Sequence, residues 1–451
     1  MSETQAAKAG PLARLDRIPI WPYRYSLLGV LGAGYFFAFF DIVNIGAALP
    51  EIARQFGVST DLASWAITAS LIAYIIGAYA VGTMADLLGR RLSLALSVGF
   101  FTIGSIGAAF SPGLAWLIAF RFILGLGLGS EIASVTTYLG EISPAAVRGR
   151  YTSWATACAY AGFVAVPFVA RVLVPDFAWG WRVLFLIGAA GGVTILFMRW
   201  HLRESPRWLM AHGRYAEAEA EVKDAEARAR ERLGHELPPP VPDYGQVAHR
   251  GFPTLALLRP PYRSRVLLLI AFWFFYYIGN YGWLEMIPTL LERAGYSLAN
   301  SLSYLIVSGA GFLAGALGSV WLNDRVERRH TILGVGLVWI AALLAVGLVP
   351  EPAVIMPAGF VASTSIGLMV PIMYTLTAEH FATAGRASGV ALTDGLGHVG
   401  GAVAPALVLL GADRLGFFGG LLVMALSGAV VLMLLPFTVK ATGKALENVS
   451  G

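Results

Sequence analysis

The chain has 451 residues, 57% of them hydrophobic and only 13% charged, against roughly 25% charge in an ordinary soluble domain; composition alone excludes the soluble class. The single cysteine, Cys158, excludes an internal disulfide, and no Cys/His grouping points to a metal or other cofactor. The net charge of +5 is read through its placement rather than as a nucleic-acid footprint, and no nucleic-acid partner is expected.

Residues 1–24 are polar, carry no signal-peptide cleavage pattern and form an expected tail. Apolar runs long enough to cross a bilayer then follow at 25–49, 65–84, 92–110, 114–137, 151–174 and 181–200. The longest polar stretch, 201–265, comes next, and inside it residues 215–233 are rich in Ala, Glu and Arg. The acid-then-base pairs Glu219–Lys223, Asp224–Arg228 and Glu226–Arg230 are spaced i,i+4, the pattern of a solvated linker helix; Gly234 and the prolines 238–240 end it. Six more runs lie at 266–287, 302–322, 331–349, 354–377, 388–410 and 416–435. The expected organisation is therefore a tail (1–24), a six-helix bundle (25–200), a linker (201–265), a second six-helix bundle (266–437) and a second tail (438–451). With the N-terminus inside, 26 of the 32 Lys and Arg fall on the inner side and five on the outer, namely Arg54, Arg171, Arg182, Arg293 and Arg414, while Arg121 lies inside a span. That bias places both termini in the cytoplasm of a cell whose cytoplasmic membrane holds the chain.

Shifting the chain by 238 residues superposes its halves without a gap. Pro50 falls on Pro288, Gly77 on Gly315, Gly129 on Gly367, Gly162 on Gly400 and Pro167 on Pro405. Asp86, Arg90 and Arg91 fall on Asp324, Arg328 and Arg329, and Glu141 and Arg148 on Glu379 and Arg386. An even number of spans separates the copies, so the halves run in the same direction.

The segment Gly82-Thr-Met-Ala-Asp86-Leu-Leu-Gly-Arg90-Arg91, with its copy Asp324-Arg-Val-Glu-Arg328-Arg329, resembles the signature between the second and third helices of major facilitator transporters. Glu141-Ile-Ser-Pro-Ala-Ala-Val-Arg148 and its copy Glu379 to Arg386, together with Arg203-Glu-Ser-Pro-Arg-Trp-Leu209 and Thr442-Gly-Lys-Ala-Leu-Glu447, resemble motifs of the group that holds sugar porters, organic-ion transporters and bacterial metabolite–proton symporters. The resemblance implies an all-α fold of 12 membrane helices in two parallel six-helix bundles, with the solute path between them. An acid at one helix end and arginines on the next can tie the ends by charge-assisted hydrogen bonds that break and re-form during rocking. Asp86, Arg90, Arg91, Glu141, Arg148, Asp324, Arg328, Arg329, Glu379 and Arg386 are read as such a cytoplasmic gate latch.

Sugar porters carry a glutamine pair early in helix 7 and usually a tryptophan in helix 10, where this chain has Phe275, Tyr276 and Tyr374. Amides suit polyhydroxyl solutes because they donate and accept together. The helix 7 segment from Phe272 to Pro288 instead resembles bacterial niacin- and organic-acid-type transporters.

A charge in the hydrocarbon region costs several kcal/mol unless paired or hydrated, so the ionisable residues within spans mark candidate sites. At 1.5 Å per residue, Asp41 and Arg121 lie roughly 6–7 Å outward of the midplane, and an ion pair between them is expected. The resemblance implies that this pair couples transport to protons. Glu131, roughly 8 Å inward, is either a second proton site, a cation contact or a protonated, structurally satisfied glutamate. His398 and Asp394 share a helix face near the midplane and are read as selecting substrate charge. Tyr277, Asn280 and Tyr281 fall on one helical stripe with Trp273, read as lining the cavity because their polar groups need partners in lipid. Glu285, three residues from a span end, is read as a solvated mouth residue.

These readings converge on a proton-coupled secondary transporter, not an enzyme, that carries a small organic ion such as an aromatic or pyridine carboxylate. It is expected to act as a monomer whose partners are the lipid bilayer and its solute. A sugar or polyol symporter is the runner-up, and a non-transporting receptor of the same fold the alternative from another class.

Overall fold

The structure is a computed structural model that describes residues 10–200, 202–240, 257, 259–260, 262–322, 326–381 and 386–438. Lipid offers no hydrogen-bond partner to the backbone, so apolar runs of this length close all their polar groups within helices. In chain order these are α1 (Pro11–Asp16), α2 (Tyr25–Phe56), α3 (Thr60–Leu88), α4 (Arg90–Ala109), α5 (Leu114–Ile142), α6 (Arg148–Leu173), α7 (Gly180–Arg199), α8 (Pro206–Ala211) and α9 (Tyr215–Leu233). The second half holds α10 (Tyr262–Tyr281), a π-helical segment (Gly282–Met286), α11 (Ile287–Arg293), α12 (Leu298–Leu322), α13 (Arg328–Leu348), α14 (Pro352–Glu379) and α15 (Arg386–Leu434).

Among the described residues, 11 helical stretches are long and apolar enough to cross a membrane. The last, 388–437, is 50 residues long and consists of two spans run together, because Leu415 and Gly416 leave helical geometry (φ −131° and 64°). The break falls between the runs expected at 388–410 and 416–435, so the total is twelve. At the turn between α2 and α3, Gly57 closes α2 at φ 62°, and the Ser59 hydroxyl accepts from the Leu62 amide to start α3.

The 238-residue repeat is a repeat of contacts. A Cβ on Gly77 would strike the carbonyl of Leu126, and one on Gly315 would strike that of Thr364. Gly129 and Gly367 stand likewise against the carbonyls of Tyr74 and Phe312, and Gly162 and Gly400 against those of Phe36 and Phe274. Each partner, like each glycine, is 238 positions from its counterpart. Small residues at these positions let helix backbones touch, which is how membrane helices gain packing when no hydrophobic effect drives them together.

The amphipathic linker packs against the N-terminal tail on one face of the molecule, called here the linker face. Leu15, Ile18 and Trp21 of the tail are buried with Val222, Ala225 and Ala229 of α9. Glu219–Lys223 and Asp224–Arg228 pair within α9 as expected, at 3.3 and 2.8 Å. Glu226 does not pair with Arg230. It is buried and takes hydrogen bonds from Arg14 (2.6 and 3.2 Å) and Arg17 (2.5 and 3.1 Å), while Arg230 reaches Glu236 at 3.2 Å. The expected solvated helix is thus solvated on one side only, because the tail brings two arginines that pair better than a neighbour on the same helix.

The bundles meet through α3 against the first part of α15 and through α6 against α12. Among the described residues, the polar contacts that cross between bundles are Thr68 Oγ1 to the Ala402 carbonyl (2.8 Å), Arg171 Nε to Ser303 Oγ (3.1 Å), and Arg293 to Thr60 (2.6 Å) and Asp61 (2.9 Å). Rings cross at Tyr74–His398, Tyr160–Phe312 and Phe163–Phe312. These contacts run from the middle of the helices to the face opposite the linker. The molecule is closed on that far face.

Candidate transport site

Two polar centres lie within the N-terminal bundle. In the first, the Asp41 carboxyl is fully buried and accepts from Ser105 Oγ on α4 and from Asn44 Nδ2 one turn along α2, both at 2.7 Å. Arg121 of α5 is also buried. Its Nη1 donates to the backbone carbonyl of Asp41 (3.0 Å) and to Asn44 Oδ1 (3.3 Å), and its guanidinium lies 5.9 Å from the Phe185 ring centroid. The expected carboxylate–guanidinium ion pair is therefore not made. The two groups share Asn44 as an intermediary, because the arginine is drawn to the carbonyl while serine and asparagine satisfy the acid. Gly188 of α7 faces the Asp41 carboxyl, and a Cβ there would lie 2.7 Å from its Cγ.

The second centre joins Glu131 of α5 to Arg199 at the end of α7. Arg199 Nη1 donates to Glu131 Oε2 at 2.7 Å, Nη2 donates to Oε1, and Ser97 of α4 donates to Oε2 at 2.6 Å. Arg199 is 1% exposed and Glu131 is fully buried. The carboxylate is filled by an arginine and not by a proton of its own, and this partner is one that the sequence hides at the edge of an apolar run, beside Trp200.

The C-terminal bundle supplies an aromatic cluster. Tyr277 Oη (2.5 Å) and Tyr374 Oη (2.9 Å) both donate to Asp394 Oδ1. One turn on, His398 Nδ1 lies 2.9 Å from the Asp394 carbonyl and 3.8 Å from its carboxylate. A carbonyl only accepts, so Nδ1 carries hydrogen and Nε2 is the atom free to change protonation. The imidazole is sandwiched: Tyr277 packs on one side at 3.9 Å between centroids, and Tyr74 from the other bundle stacks at 4.4 Å. Trp273 packs on Tyr277 (5.3 Å) and Tyr374 (4.7 Å), and Tyr281 lies 5.9 Å from the imidazole. Of the expected stripe, Tyr277 and Tyr281 join this cluster. Asn280 does not share its hydrogen bonds, and its buried Oδ1 has no partner among the described residues. Tyr74 is the member that sequence reading missed, since a tyrosine in mid-span carries no signal until the opposite bundle is in place.

Two pairs of latch residues form inside the bundles. Arg90 donates to Glu141 at 2.7 Å, and 238 residues on, Arg328 pairs with Glu379 at 3.1 Å. Glu204 accepts from the amides of Arg90 (2.9 Å) and Arg91 (3.2 Å), and Arg91 also holds the Trp200 carbonyl (2.8 Å). Asp16 of the tail receives Arg148 (3.3 Å) and Arg207 (2.7 Å), and Arg329 Nε donates to Thr438 (2.9 Å). Asp324 and the side chains of Asp86 and Arg386 lie outside the described residues. Arg90–Glu141 and Arg328–Glu379 stand intact in a molecule closed on the far face. Each braces helices of one bundle.

Glu285 departs furthest from expectation. It is not a solvated mouth residue: it is 1% exposed, lies in the π-helical segment, and its backbone is pressed against Gly46 of the other bundle.

Two bundles related by a contact repeat, with ionisable side chains buried inside them and aromatic rings meeting between them, are the plan of a membrane transporter. The chain belongs to the Major Facilitator Superfamily, whose family model matches residues 31–405. It is 30% identical to the putative metabolite transport protein YyaJ of Bacillus subtilis over 90% of this chain and 89% of that one. It is 29% identical to the niacin transporter NiaP of Acinetobacter baylyi, covering 88% and 89%, and 26% identical to the 4-hydroxybenzoate transporter PcaK of Pseudomonas aeruginosa, covering 86% of each. Among solved structures, a partially occluded inward-open conformation of the xylose transporter XylE from E. coli shares the fold, with a TM-score of 0.74 at 19% identity over 93% of this chain and 99% of that one. The protein is a membrane transporter of metabolites, not an enzyme.

Proposed function

We propose that this protein is a proton-coupled symporter for a small aromatic carboxylate, working as a monomer in the cytoplasmic membrane with its linker face and both termini in the cytoplasm. The observation that carries the reading is the sandwich of His398 between Tyr74 and Tyr277. It joins the two bundles near the middle of the helices, as a solute site reached in turn from either face must. Flat rings from both sides suit a flat solute, since aromatic pairs gain from offset stacking beyond the area they bury. The imidazole supplies a titratable donor for a carboxylate. Relatives that span most of the chain are named as carriers of niacin and of 4-hydroxybenzoate, both aromatic rings bearing an acid group, which agrees with the chemistry of the sandwich.

Asp41 is the proposed proton carrier and needs no metal or organic cofactor. Ser105 and Asn44 can serve either protonation state, because a hydroxyl both donates and accepts and the amide offers both an N–H and a carbonyl. Arg121, bound to the neighbouring carbonyl, supplies the counter-charge without capturing the carboxylate. Purified protein in liposomes, given labelled nicotinate, 4-hydroxybenzoate or xylose with and without an imposed pH gradient, tests the whole reading. Uphill uptake of an aromatic acid that collapses with a proton ionophore is the expected result. Uptake of xylose alone, or no uptake of any solute, overturns it.

A further inference from the structure

Glu285 takes no part in either the Asp41 or the His398 centre. It sits where the backbone of the C-terminal bundle touches that of the N-terminal one: a Cβ added to Gly46 of α2 would meet the Cα of Glu285 at 2.5 Å. The helix is not regular there. Residues Gly282–Met286 form a π turn, and Pro288 has no N–H to offer the carbonyl four residues back. The turn puts the carboxyl inside the closed interface, where Oε2 is buried and has no hydrogen-bond partner among the described residues. Across the same interface the Nε of Arg121 is also buried and unpartnered. Among the described residues, no hydrogen bond joins Arg121 to Glu285.

The groups around Glu285 are few. From the N-terminal bundle Arg121 faces it, with Asp41 beyond, hydrogen-bonded to Asn44 and Ser105. On its own helix Tyr281 stands one turn back, its ring 5.9 Å from that of His398, which in turn is hydrogen-bonded to the Asp394 carbonyl. None of these supplies the hydrogen bonds that an ionised carboxylate loses when water leaves.

We propose that Glu285 is a second proton-binding site, on the C-terminal bundle, that licenses closure of the far face; the proposal rests on the transport reading above. When the bundles part at the Gly46–Glu285 contact, the carboxyl is hydrated and exchanges its proton with the solution on that side. Closure strips that water and returns no hydrogen bond, so the closed interface accepts the neutral acid. The proton comes from the far-side solution, forms an O–H bond on one carboxyl oxygen and returns to that solution when the face reopens. By linkage, the closed form binds the proton more tightly than the open one. Low pH therefore favours closure and high pH favours opening, by up to about tenfold in the open-to-closed ratio per pH unit.

The test needs no solute, so its failure is distinct from failure of the symport reading. Spin labels at Ala178→Cys and Ala294→Cys, both exposed on the far face, in a Cys158→Ala background, report the far-face gap by pulsed distance measurement. Across about three pH units around neutrality, the widely separated population should grow with pH in the unsubstituted protein. It should respond less steeply in Glu285→Gln, where Asp41 alone remains to titrate, and steepen again in Glu285→Asp. A Glu285→Gln protein with the full pH response overturns the proposal, as does an unsubstituted protein with none. If Glu285→Gln does not fold, Glu285→Asp decides alone: its shorter reach leaves a carboxyl whose response must move along the pH axis, and an unmoved response overturns the proposal.

Discussion

Replacing Glu131 by leucine removes three hydrogen bonds, two from Arg199 and one from Ser97, and leaves a guanidinium that is 1% exposed. Among the described residues, the hydrogen-bond partner that remains to it is the Leu94 carbonyl at 2.9 Å. Breaking a buried pair in this way costs about 3–5 kcal/mol, because one charge stays buried without its counterpart. Removing both charges is a different perturbation: Glu131→Leu with Arg199→Met fills the site with apolar atoms, and a buried pair replaced by packed hydrophobic side chains is often neutral. The prediction is therefore strongly non-additive. Each single substitution loses several kcal/mol, and the double substitution recovers most of it. Equilibrium unfolding in mixed micelles with increasing dodecyl sulfate, followed by tryptophan fluorescence, measures all four corners of the cycle. A double mutant as unstable as the sum of its singles would refute the reasoning, as would a Glu131→Leu protein of unaltered stability. Gly34 adds a check from the first span. A Cβ there would strike both partners, so Gly34→Ala should disturb the same pair.

Asp41→Asn should abolish uphill accumulation while leaving solute exchange partly intact, since an amide cannot alternate between protonated and ionised forms; counterflow measured beside gradient-driven uptake checks this, and normal accumulation would remove Asp41 from the mechanism. Substituting His398 by arginine should preserve affinity for an aromatic carboxylate, whereas aspartate at that position should weaken it at least about tenfold by like-charge repulsion; equal affinities in a binding titration would make the histidine mere packing. The orientation is open to cysteine labelling in intact cells. Ala216, exposed on α9, should resist impermeant thiol reagents and Ala294 should react, whereas Ala218, on the same linker helix, is fully buried and would resist from either side.

The number of spans, the twofold plan and the family were legible because they rest on properties that need no partner. Hydrocarbon thickness demands about 20 apolar residues per helix, and a contact repeat preserves its glycines, acids and arginines at one offset. Even the break at Leu415 and Gly416 falls where the last apolar run begins. Individual centres were legible only in part, since a buried charge announces that it needs a partner without saying which one. Asp41 and Arg121 were found from depth along their helices, yet depth does not say that Ser105 and Asn44 would take the carboxyl while a backbone carbonyl took the arginine. Arg199 lay concealed at the end of an apolar run, Tyr74 became part of the site only when the opposing His398 stacked on it, and Glu226 turned from a solvated residue into a buried one because a tail some 200 positions away docked on it. Glu285 shows the limit most clearly. Counting along a regular helix puts it at the mouth, whereas the π turn and the closure of two bundles put it inside. Sequence periodicity reports what one helix presents to its surroundings, and only tertiary packing decides whether those surroundings are lipid, water or another side chain.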